Sequence, residues 1–93
     1  MKTADHGNPK VVFVEVSSEQ SDMPPGFLSQ WMSQWAEHPN CLEVTLLKSA
    51  TQKGMFLLHS VWTGVPESCP SVEGVEVRCW TFDVLETQKN TDR

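Results

Sequence analysis

Hydrophobic and polar residues change period several times along this chain, and each change marks an element. Residues 10–16 read KVVFVEV, with Val12, Val14 and Val16 on one face and Val11, Phe13 and Glu15 on the other. That two-residue period, rich in β-branched side chains, predicts a first strand. Residues 17–23 are polar and turn-like and lead into Pro24 and Pro25, which suit a first helical turn. Ser21 or Asp22 is the expected cap. Phe27, Trp31 and Trp35 then recur at i, i+4 and i+8, with Leu28 and Met32 beside them and Ser29, Gln30, Ser33 and Gln34 opposite. This is an amphipathic helix, predicted to end near His38 because Pro39 blocks its continuation.

Residues 42–49 (LEVTLLKS) and 55–62 (MFLLHSVW) read as a second and third strand, joined through Gly54 as a hairpin. Residues 63–74 hold Pro66, Pro70 and two glycines and read as a long connection. A last strand is expected over 75–86 (VEVRCWTFDVLE). The leader at 1–9 and the tail at 87–93 are polar and expected to be mobile, leaving one domain at 10–86. The order is strand, helix, strand, strand, loop, strand: an α+β class with a four-stranded, mostly antiparallel sheet and one main helix. One helix covers only one face of such a sheet, yet the third strand is apolar on both sides, and so is the last, where Val75, Val77 and Cys79 oppose Trp80, Phe82 and Val84. A homodimer closing the second face is the expected solution.

Composition narrows the functional field. At 93 residues the chain fits one domain, and 39 % hydrophobic with 20 % charged residues suits a folded core. A net charge of -5 without a Lys/Arg cluster argues against nucleic acid. The apolar runs are too short to span a bilayer and the first residues lack a signal-peptide core, so the expectation is a cytoplasmic protein with no membrane partner. Cys41, Cys69 and Cys79 are odd in number and widely spaced, which reads as three free thiols. His38 and Cys41 form half of a metal ligand set with no second pair, so neither metal nor cofactor is expected.

The stretch 25–62, with its helix, HPNCLEVTLL and GMFLLHSVW, resembles a dimeric α+β barrel subunit of the antibiotic-biosynthesis-monooxygenase type. The resemblance implies a ferredoxin-like sheet, a homodimer and, in part of that family, cofactor-free oxidation of quinols. Members of the family usually carry a second helix where residues 63–74 here hold two prolines. Trp62 matches the tryptophan of the haem-degrading branch, but that branch's Asn and His have no counterpart, so haem is not implied.

Candidate chemistry is sparse. His59 lies in the third strand and shares a face with Leu57 and Val61; it reads either as a pocket base or as a structural histidine bonded within the core. Glu15 and Asp83 interrupt apolar strands, and each reads as a buried acid or as an exposed edge residue. Arg78 is a cross-strand partner for Glu15 or Glu76. Trp31, Trp35, Trp62 and Trp80 read as the lining of an aromatic ligand pocket or as plain core. No phosphate loop, nucleophile elbow or acidic metal loop occurs. The leading reading is a homodimeric module binding a protein or a small aromatic ligand. The alternative is a cofactor-free monooxygenase or isomerase acting on a small aromatic substrate. An acidic decoy for a basic channel ranks third, since the charges form no block.

Overall fold

The computed structural model describes residues 8–17 and 23–90. It contains β1 (Lys10–Ser17), α1 (Gly26–Ala36), β2 (Cys41–Lys48), β3 (Met55–Trp62) and β4 (Val77–Asp83). The four strands form one sheet in the order β2-β3-β1-β4, and every neighbouring pair is antiparallel. This is an α+β fold with the strand order of ferredoxin-like sheets. The expected positions 1–7 of the leader and 91–93 of the tail, together with Ser21 and Asp22, lie outside the described residues.

The alternation in β1 and β3 sorts side chains as their sequences require. Val12, Val14 and Val16 from β1 and Phe56, Leu58, Ser60 and Trp62 from β3 are buried on the helix side. Leu28, Trp31 and Trp35 close the core from α1. Val44 and Leu46 of β2 and Val77 and Cys79 of β4 add half-buried flanks on the same side. Pro25 occupies the helix N-cap position, where its fixed φ of -59 suits entry to a helix without any side-chain cap. The helix stops at Ala36, two residues earlier than expected, because the Glu37 and His38 amides donate to Gln34 and Trp35 carbonyls in a closing turn. Asn40 then ties this corner together. Its carbonyl accepts from Thr63 N–H at 2.8 Å, and its Nδ2 donates to the Val65 carbonyl at 3.2 Å.

Helix α1 lies over the β2 side of the sheet, while residues 63–76 run from Asn40 to β4, where Cys69 is bonded to Cys79. That segment is irregular, as its prolines require. It carries a tight turn in which Val75 N–H donates to the Val72 carbonyl, with Gly74 supplying the positive φ of 80 that the third turn position demands. Val72 and Val75 pack against the core from this turn. β4 spans Val77–Asp83 and not 75–86, because Val75 is turned into its own bridge with Val72. Cys69 and Cys79 are not free thiols: they form a disulfide with Cα atoms 6.1 Å apart, leaving Cys41 as the free cysteine.

Candidate surface: the open face of the sheet

The side of the sheet away from α1 carries the other half of each alternation, and the strand registers arrange it in rows. Glu43, Val61, Val11 and Phe82 stand side by side across the four strands. Thr45, His59, Phe13 and Trp80 form the next row, and Leu47, Leu57, Glu15 and Arg78 the third. Met55 lies opposite Ser17 at the end. Eight apolar residues thus share one face with one histidine and a few polar groups near its margins.

Aromatic contacts organise the middle of this face. The Phe13 ring lies 5.2 Å from His59 and 6.0 Å from Phe82, the latter edge-on. Arg78 holds its guanidinium 5.6 Å from the Trp80 ring centre, a cation–π arrangement on the sheet edge. Trp80 and Phe82 keep 39 % and 52 % of their surface exposed, and Leu47 keeps 40 %. Four strands of about eight residues give a face of roughly 500 Å² in projection. Eight of its fourteen side chains are apolar, so its apolar part is smaller than the face and falls within the span of the largest patches on soluble monomers. At the hairpin end a shallow apolar depression of about 300 Å³ is lined by Leu47, Lys48, Ser49, Met55 and Leu57.

The residues singled out by sequence are divided between the two sides of the sheet. Trp31, Trp35 and Trp62 are in the core, where Trp62 is wholly buried and meets the Trp35 and His38 rings edge-on at 5.7 and 5.1 Å. Its indole N–H donates to Ser60 Oγ at 2.8 Å. Trp80, His59 and Glu15 are on the open face, so the four indoles share no single pocket. His59 is half-buried and in contact with Phe13. Glu15 is half-buried opposite Arg78. Asp83 is exposed at the β4 end, paired with Lys10 Nζ.

Chemically, the face is suited to burial against another apolar surface. A second depression, of about 380 Å³, lies over the 48–53 turn and is lined by Lys48, Ser49, Ala50, Thr51, Gln52 and Lys53. Neither depression involves His59 or a tryptophan. Among the described residues no group of three His, Cys, Asp or Glu side chains is placed to hold a metal ion. Phe13, Phe82, Leu47 and Val11 were legible as strand residues but carried no chemical signal of their own; only the period-two pattern, extended to rows across strands, points to them. Among the described residues no helix is long and apolar enough to cross a membrane. Comparison of the chain with protein-family models, curated proteins and solved structures finds no match in any of the three.

Proposed function

We propose that this protein is a small homodimeric binding or interaction module whose two copies close their open sheet faces against each other. The observation that supports this reading is the face itself: Val11, Phe13, Leu57, Val61, Trp80 and Phe82 side by side on the side that α1 does not cover. Removing such a surface from water stabilises an assembly by about 25 cal/mol per Å² of apolar area. A twofold axis makes the same patch serve both partners. In this reading the sandwich core would be sheet on sheet, and the resemblance to dimeric α+β barrels is of the same kind. Phe82→Glu tests it, since it replaces an exposed aromatic of the face by a carboxylate whose burial against a second apolar surface is costly. We expect a folded monomer by size-exclusion and circular dichroism; an unchanged dimer would place the interface elsewhere.

The alternative, a cofactor-free monooxygenase or isomerase acting on a small aromatic substrate, draws on one observation: His59, Phe13 and Trp80 stand in one row of the same face. A gap left in the closed dimer would have that imidazole on its wall. A quinol-oxidation screen of the parent against His59→Gln separates the two readings. We expect no turnover in either. As to location, a Cys69–Cys79 bridge is permanent in an oxidising compartment, whereas in the cytoplasm, the location expected from sequence, it is transient and responsive to thiols.

A further inference from the structure

We propose that the Cys69–Cys79 bridge is a redox-operated latch that holds the segment around residues 68–76 against the helix side of the sheet at β4. Four observations converge on it. Cys69 is bonded to Cys79 of β4, and Val72 and Val75, a few residues on, are seated on the core. The near end of the segment is fixed independently, through Thr63 N–H to the Asn40 carbonyl and Asn40 Nδ2 to the Val65 carbonyl. Beyond that anchor, among the described residues, the backbone of 66–76 makes one hydrogen bond outside strand pairing, from Val75 to Val72. The bridge is therefore the covalent tie at the far end, beside the apolar seats of Val72 and Val75. Finally, Cys69 is exposed and Cys79 half-buried, so an incoming thiolate reaches the Cys69 sulfur first.

The chemistry is thiol–disulfide exchange with a dithiol as reductant. One thiolate of the dithiol attacks the Cys69 sulfur, the Cys69–Cys79 bond breaks, and Cys79 leaves as a thiolate that takes up a proton. The second thiol of the dithiol then displaces Cys69, which is released as a thiol while the reductant ends as a cyclic disulfide. Two electrons pass to the protein. The β2-β3-β1 ladders do not involve the bridge. Opening the latch therefore frees residues 68–76, beyond the Asn40 anchor and the Glu67 carboxylate that lies 3.8 Å from His38 Nε2, to swing away and uncover the part of the core on which Val72 and Val75 sit while the ladders stand.

Hydrogen exchange on the oxidised and dithiothreitol-reduced protein tests this, with iodoacetamide trapping and mass analysis counting free thiols. We expect one alkylated cysteine before reduction and three after, matching the three cysteines of the chain. Reduction should speed exchange in 69–77 by at least about tenfold more than in β2 and β3, since local openings differ in free energy between cooperative units. Reoxidation should restore the slow rates. Cys69→Ser should behave like the reduced parent under both conditions. Unchanged exchange in a fully reduced protein overturns the latch, and so does uniform acceleration across the whole chain, which would make the bridge a general staple. Neither outcome depends on the dimer.

Discussion

Ser60 shows how narrowly the core is specified at the level of single residues. Its hydroxyl donates to the Val12 carbonyl at 3.2 Å and accepts the Trp62 indole N–H at 2.8 Å, all with no solvent access to the serine. Ser60→Ala keeps the shape but leaves that N–H without its acceptor, and such a loss costs about 1 to 3 kcal/mol. Urea unfolding should show it as a lower midpoint with unchanged slope; an equal midpoint would mean that Trp62 finds another acceptor. Cys41 offers a pH-dependent case. Burial pushes its thiol above the ordinary 9.0, with the Glu43 backbone bond opposing and the Glu43 carboxylate reinforcing the shift. A group held neutral in this way contributes stability below its unfolded value, and the contribution is lost as pH rises through the higher folded value. In the oxidised protein, iodoacetamide should therefore alkylate Cys41 more slowly at pH 8 than an unstructured cysteine peptide, with the rate still climbing above pH 9.0. A rate equal to the peptide's would contradict the burial account.

Elements were readable from sequence to the extent that their cause is local. The strand faces of β1 and β3 follow from alternation alone, and Val12, Val14 and Val16 opposite Val11, Phe13 and Glu15 stand as that pattern requires. The bounds of β4 depend on partners far away in the chain. β1 begins at Lys10, which pairs with Asp83, so beyond that residue the ladder has little to continue it except Val84 N–H to the Pro9 carbonyl. At the other end Val75 is captured by Val72. The Cys69–Cys79 bridge was illegible for the same reason: ten residues of separation indicate nothing until topology returns β4 beside β1. Of the candidate site, the alternation gave the open face, while the aromatic contacts of Phe13 emerge only from register. Two variants test the elements. Trp35→Ala removes a buried ring between α1 and β3 and should cost about 3 to 5 kcal/mol, read by thermal melting. Cys69→Ala with Cys79→Ala should cost about 2 to 3 kcal/mol for a loop of this length, without loss of the sheet by circular dichroism.

At the scale of the whole molecule the two sides of the one sheet differ. One side is closed by α1 and by the bridged segment; the other presents Trp80, Phe82 and Leu47 to water together with the half-buried Val11, Phe13, Leu57 and Val61. A second copy is the partner that always accompanies the chain and carries the same patch, which makes a twofold contact the economical closure. If the copies do meet in this way, Trp80 leaves water, and its emission should shift to the red when the dimer is diluted to monomer. Sedimentation equilibrium of the oxidised protein across nanomolar to micromolar concentration measures the claim most directly. We expect a mass of twice 10.5 kDa at the upper end, falling toward 10.5 kDa on dilution. A mass that stays at 10.5 kDa through the micromolar range would contradict the dimer and leave the open face to a different partner.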